Sequence, residues 1–294
     1  MNKVQILTDS CSDLTKELRE KYGVDYCRMN TVYEGKETPA SLDFEYYTPK
    51  ELYDIMRNGG RVTTTQVPPE EFERVFTKYL DEGCDIVYIG CSLKQSSSVN
   101  TGEMVARRLR EEYPGSVIYC IDSMNACVGE GLLAMKAGEM AESGMSAKDI
   151  AEKIIAIRKT VQEYCTVPTL EYMKRAGRVK ASAAFFGNLF GVKPVITADK
   201  NGNQAALKKV KGQRAALAEI VSLLKENITD AGDQTVYIAH ADDIEDAEYV
   251  RDLVKSEIGC KDVYLCYIGP IIGASIGPGA IAVFAFGNEV TFEG

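Results

Sequence analysis

The chain holds a single histidine, His240, among 294 residues. Histidine is the side chain whose ordinary pKa lies nearest neutrality, so most triads and acid–base mechanisms draw on it. One copy, with no Ser–His or Cys–His motif around it, leaves little for such chemistry. No C-x-x-C pair occurs either, and the nine cysteines (Cys11, Cys27, Cys84, Cys91, Cys120, Cys127, Cys165, Cys260 and Cys266) are scattered. Structural zinc needs clustered Cys/His ligands, so no metal is expected. No block of lysine and arginine offsets the formal net charge of -9. A groove that tracks nucleic-acid phosphates is therefore not expected. No stretch reaches the roughly 20 apolar residues of a membrane span. The opening "MNKVQILTDS" has too short an apolar run for a signal peptide and no small-residue cleavage site. The odd cysteine count then reads as reduced thiols buried as small apolar residues, and the expected compartment is the cytosol.

What is present is a repeated pattern in a chain that is 45% hydrophobic. "KVQILTD", "CDIVYIGC" and "SVIYCID" are short runs rich in β-branched residues. Each is followed by a turn and a helical pattern, near Leu14–Tyr22, Val99–Glu112 and Cys127–Ser143. Strand, loop and helix in repetition predict a parallel sheet covered by helices, with binding residues in loops at the carboxyl ends of strands. "SAKDIAEKIIAIRKTVQEY" reads as one long helix, and a domain boundary is placed near Lys159–Gln162. Beyond it, "GVKPVITADKNGNQAALKKV" predicts two strands joined at Asn201-Gly202. Two helices and three further strands follow. The predicted fold is α/β with two domains: an N-terminal parallel-sheet α/β/α domain over 1–160 and a C-terminal mixed-sheet α/β domain over 161–294.

Several loops carry candidate chemistry. In "RVTTTQVPPEEFERVF", three threonines precede an amphipathic helix whose stripe is Phe72, Val75, Phe76, Tyr79 and Leu80. The start of a helix attracts anions, so Thr64 and Thr65 form either a hydroxyl rim for an anion or a plain strand end. "TDSCSDL" places Asp9 at a strand end, with Ser12 or Asp13 capping the next helix. "CSLKQSSSVNTGE" puts Lys94 and Gln95 in a serine-rich loop that lacks the glycines of a phosphate loop. Lys94 there is either a site cation or a solvated surface charge. "GASIGPG" is either a sharp turn or a close approach of backbone to a ligand. "ASAAFFGNLFGVKPV" concentrates Phe185, Phe186, Leu189 and Phe190, which are either core or the wall of an apolar tunnel.

Taken in order, "TDSCSDL", "TTTQV", "IDSMNACVGEG", "TLEYMKRAGRV", "FGVKPVI" and "GPIIGASIGPGAI" resemble the motifs of the DegV family of bacterial fatty-acid-binding proteins over nearly the whole chain. The resemblance implies a long-chain fatty acid held in a tunnel contributed by the C-terminal domain, with loop hydroxyls on the head group. It implies that some members present the acid to a separate kinase that makes acyl phosphate. The protein itself is then a carrier without cofactor or catalytic residue. By position, Thr64 and Thr65 fall on the head-group hydroxyl motif, and Arg178 matches the signature arginine, expected on the surface facing a partner. Lys94 and Gln95 stand where the family has a serine and a glycine, and Ser275 where it has a histidine. Two rival readings are a hydrolase or transferase using a loop serine or cysteine, and a carrier of another lipid-like anion. Burying about 15 methylenes at roughly 0.8 kcal/mol each gives on the order of 12 kcal/mol gross. Lost entropy removes much of that, and the carboxylate must find hydrogen bonds or a counter-charge.

Overall fold

A computed structural model describes residues 2–182, 185 and 191–294. The first sheet is wholly parallel, in the order β2-β1-β6-β7. Its strands are β1 (Val4–Asp9), β2 (Val24–Cys27), β6 (Asp85–Gly90) and β7 (Ile118–Asp122). Helices cover both faces, as such a sheet requires. On one side lie α3 (Pro69–Asp81) and α4 (Ser98–Glu112). On the other lie α1 (Lys16–Tyr22), α5 (Val128–Glu142) and α6 (Ala147–Ile157). The five residues of the α3 stripe are all buried, as their spacing predicts. A small antiparallel sheet, β4-β3-β5, adds β3 (Asn30–Tyr33), β4 (Lys36–Pro39) and β5 (Thr63–Thr65), with α2 (Pro49–Arg57) before β5.

The large sheet has seven strands in the order β13-β12-β14-β8-β10-β11-β9. These are β8 (Val161–Thr166), β9 (Val179–Lys180), β10 (Val192–Ala198), β11 (Gln204–Lys211), β12 (Thr235–His240), β13 (Asp262–Tyr267) and β14 (Ile281–Phe286). It is mixed: β12–β13 and β11–β9 run parallel and the other neighbours antiparallel. Helices α8 (Gln213–Asn227) and α9 (Ile244–Glu257) pack on one face. Two short helices, α7 (Glu171–Ala176) and α10 (Pro270–Ile276), pack on each other. The turn at Asn201-Gly202 joins β10 to β11 as expected, with Gly202 at φ 83.

Two local expectations are corrected. The long helix expected over 146–164 ends at Ile157, and β8 starts at Val161 in the middle of the large sheet. All six β8 residues are buried, so its polar members show no surface alternation to separate strand from helix. The cap of α1 is Thr15, whose side chain accepts from Leu18 N, and not Ser12 or Asp13. Asp13 instead accepts from Gly269 N at 2.9 Å, tying the first loop to the start of α10.

Helix α5 contacts both β1 and β6 of the first sheet and both β8 and β14 of the large one. It is therefore apolar around much of its circumference, with ten of its residues buried. Close approach depends on glycine: a Cβ on Gly138 would run into the backbone oxygen of Tyr22. Gly138→Ala is expected to lower unfolding stability by about 1–3 kcal/mol through overpacking, measured by urea denaturation. No loss would mean that α5 and the end of α1 separate freely.

Candidate functional site: a cavity between the two larger sheets

The strand order of the first sheet reverses between β1 and β6. The loops leaving those two strands diverge and open a crevice at their carboxyl ends. Cys11 follows β1, Cys91 follows β6, and both line a cavity of about 390 Å³. That volume falls in the range of small-molecule sites. Asp9 braces the crevice: Cys11 N donates to its Oδ1 at 2.9 Å, while Tyr88 Oη (2.7 Å) and Cys91 N (3.1 Å) donate to Oδ2. Burial pushes its carboxyl up, against those bonds. Asp9 is thus committed to holding two loops together.

The opposite wall is one face of the large sheet. Alternation along β8 aims Glu163 and Cys165 at the cavity, and Tyr164 joins the cluster under α8 and α9. Ile196 of β10, Gln204 of β11, and Ala282 and Phe284 of β14 complete that wall. Helix α10 and the residues before it add Ile268, Ile271, Ile272 and Ile276, and α7 adds Met173. The lining there is hydrocarbon apart from Glu163, Gln204 and the Cys165 thiol.

The rim brings together the six polar residues that the family resemblance singled out. Thr64, Thr65, Lys94, Gln95, Arg178 and Ser275 all line this one cavity. Thr64 is half-buried, and its hydroxyl has no hydrogen-bond partner among the described residues. Thr65 is exposed and donates to Glu37 Oε1 at 3.0 Å. Lys94 is exposed, and its ammonium is unpaired among the described residues. Gln95 Nε2 is buried without a partner among the described residues. Ser275 Oγ donates to Ile271 O at 3.3 Å, one helical turn back. Arg178 is exposed, with its guanidinium donating to Ala176 O and, through Nε, to Gln95 O at 3.5 Å.

The start of α3, expected to supply amides beside the threonines, does not reach the cavity. Pro68 and Pro69 have no N–H, Val67 N is taken by Ser98 Oγ at 3.1 Å, and Glu70 and Glu71 make the first turn acidic. Instead Ser96 and Ser97, just before α4, stand on the rim. Phe185 is half-buried against the core, with Lys209 Nζ 5.0 Å from its ring centroid, and is not part of the cavity lining. Phe186, Leu189 and Phe190 lie outside the described residues. Among the described residues, the apolar wall comes from α10 and the large sheet.

His240 lies off the cavity. It is buried, its Nδ1 accepts from Asp243 N at 3.2 Å, and burial lowers its pKa. Among the described residues one group has metal-ligand chemistry: donor atoms of Cys11, Cys91 and Glu130 lie within 4.8 Å of one another. Glu130 Oε1 already accepts from Thr8 Oγ1 at 2.6 Å. Among the described residues, no helix is long and apolar enough to cross a membrane.

Comparison with known proteins agrees with this architecture. A family model described as "uncharacterised protein, DegV family" matches residues 3–288. A DegV domain-containing protein of Clostridium perfringens is 32% identical over 288 residues, covering 98% of this chain and 99% of the relative. Among solved structures, a DegV-family protein of Thermus thermophilus, described as fatty-acid-binding, superposes with a TM-score of 0.87 at 28% identity. It covers 98% of this chain and 100% of the neighbour. A stearic-acid-binding protein of Eubacterium ventriosum gives a TM-score of 0.84 at 26% identity, covering 97% and 98%. With parallel and mixed sheets meeting at the same cavity and the family pattern running from end to end, the chain belongs to the DegV family.

Proposed function

We propose that this protein binds a long-chain fatty acid non-covalently in the cavity between its sheets, with the carboxylate at the rim. The observation that carries the reading is one continuous cavity with hydrocarbon walls and unpaired polar groups at its mouth. Its structural neighbours from Thermus thermophilus and Eubacterium ventriosum are described as binding fatty acids, which supports the same ligand class here. Among the described residues, Thr64 offers an unpaired hydroxyl and Lys94 an unpaired ammonium. Thr65 shares its hydroxyl with Glu37, so it serves the carboxylate less well. Gln95 and Ser275 complete the polar end. The acid is released as it was bound, and the protein is a carrier. A cysteine-nucleophile enzyme finds less support: burial pushes the thiols of Cys127 and Cys165 up, away from thiolate, and His240 lies off the cavity.

Native mass spectrometry of the purified protein, followed by solvent extraction, tests the reading. A co-purifying mass that extracts as a fatty acid is the expected result. An empty protein that hydrolyses esters would overturn it. Thr64→Val is expected to weaken fatty-acid binding by about 3- to 10-fold. Lys94→Met should weaken it by roughly 10- to 150-fold, the worth of one charge-assisted hydrogen bond, with little effect on the matching fatty alcohol. Equal losses for acid and alcohol would take Lys94 off the carboxylate. The reading extends to presentation of the acid to a kinase, for which Arg178 stands exposed at the mouth. Arg178→Ala should then leave acid affinity intact and slow phosphorylation by a cognate kinase, and unchanged phosphorylation would remove that role.

A further inference from the structure

The hydrocarbon wall has one interruption that a saturated acyl chain does not use. In the large sheet, Phe284 of β14 is paired with Glu163 of β8, and Ala198 of β10 with Gln204 of β11. The β8–β10 register sets Tyr164 opposite Thr197, so Glu163 and Ala198 are the next residues along. Glu163, Ala198 and Gln204 therefore form one row across three strands. The small side chain of Ala198 leaves the carboxyl and the carboxamide facing each other over it. Both line the cavity while only 5% and 7% exposed. Rim groups such as Lys94 and Arg178 are exposed, so this pair belongs to the interior.

By hydrogen-bond geometry neither Glu163 Oε2 nor Gln204 Nε2 has a partner among the described residues, although the carboxamide lies near enough to the carboxyl to interact with it. Unpartnered polar atoms in a buried wall are costly and call for a specific partner. A plain alkyl chain lying against them offers no partner, so the cost is relieved only if the carboxamide closes on the carboxyl. Burial pushes the Glu163 carboxyl up to about 8, with the adjacent Gln204 amide pulling it the other way. At neutral pH the group is mostly an uncharged acid, with one O–H donor and one carbonyl acceptor. The carboxamide adds an N–H donor and a second acceptor. Together they match a group that both donates and accepts, and offer no net charge to a second carboxylate or to an amine.

Building on the acyl-carrier reading, we infer that the preferred ligand is a long-chain fatty acid bearing a hydroxyl along its chain, which Glu163 and Gln204 recognise. A site built to hydrogen-bond a hydroxyl discriminates against the analogue that lacks it, because its own polar groups are then left unpaired.

The test compares stearate with a series of hydroxystearates whose hydroxyl moves along the chain, by isothermal titration on the full chain. Wild-type protein is expected to favour at least one isomer over stearate by about tenfold or more. Glu163→Leu should erase that preference. Glu163→Gln, which keeps a donor and an acceptor, should retain part of it. Stearate binding as well as every isomer to wild-type protein would overturn the inference and leave the acyl-carrier reading standing. A preference that survives Glu163→Leu would overturn it too. Failure of all these acids to bind would sink both. The wild-type comparison needs no variant to fold, so a misfolded substitution does not shelter the inference.

Discussion

Ala282→Phe is expected to reduce long-chain fatty-acid affinity by roughly a thousandfold while the protein still folds. Ala282 lies on β14, is 3% exposed, and sits on the cavity wall opposite the crevice of the first sheet. Its neighbours across the strands are Cys165 and Ala239. A benzyl group in place of its methyl enters the space where the acyl chain is proposed to lie. Displacing about five methylenes at roughly 0.8 kcal/mol each costs on the order of 4 kcal/mol, close to three decades in affinity. Overpacking a filled core typically costs about 1–3 kcal/mol, but here the added ring meets open space on one side. Displacement of a fluorescent fatty acid measures the affinity, and far-UV circular dichroism with a thermal melt checks the fold. Undiminished affinity in a folded variant would mean that the chain does not pass over β14, and the cavity would lose its claim to be the acyl site.

How far this could be read in advance depended on what sets each feature. The α3 stripe, the three parallel strands and the Asn201-Gly202 hairpin were legible because period and turn chemistry are local. Strand β8 was not: its polar residues Gln162 and Glu163 are buried by neighbours on both sides, so they carry no pattern that separates them from a helix end. The rim was legible as a set of motifs, yet the division of labour within it was not. Thr65 loses its hydroxyl to Glu37 because β3 lies between β4 and β5, a pairing that only tertiary structure reveals. The same holds for the anion-binding helix start. Two prolines and two glutamates made α3 a poor choice on its own chemistry. That the serines before α4 reach the rim in its stead follows from the sheet order. Phe185 shows the limit of composition, since an aromatic in an apolar run serves core and tunnel equally well. Glu163 and Gln204 were invisible for a simpler reason: nothing in "KTVQEY" or "NGNQAAL" says that both side chains face one cavity.

Unlike most proteins, whose stability is flat near neutrality, this one is expected to lose stability as pH rises from about 5 through 8. Glu163 is one cause, beside Asp9 and Glu130, whose carboxyls burial also pushes up. The folded pKa of Glu163 is about 8 against an ordinary 4.5, and burial is the source. Between those values the folded state holds a proton that the unfolded state has released. Stability then falls with pH, at up to about 1.4 kcal/mol per unit for one group. Across the window the loss is on the order of 4 kcal/mol. Asp13, pushed up to about 7 by burial, adds the same sign over a lower window. At the acid end the sign reverses. The Glu103 carboxyl is held down by its hydrogen bonds to Arg110, and that stability disappears as it protonates. His240, whose pKa burial lowers, opposes this loss below about pH 6.5, so maximum stability in the ligand-free protein should lie on the acid side of neutrality. Glu163→Gln keeps a donor and an acceptor on the cavity wall but has nothing to ionise. It should match wild type at pH 5 and exceed it by a few kcal/mol at pH 8.5, in urea denaturation across a pH series. An equal difference at both pH values would mean that Glu163 is already ionised, or paired, in the folded state. The neutral acid that the hydroxyl-recognition inference relies on would then be absent.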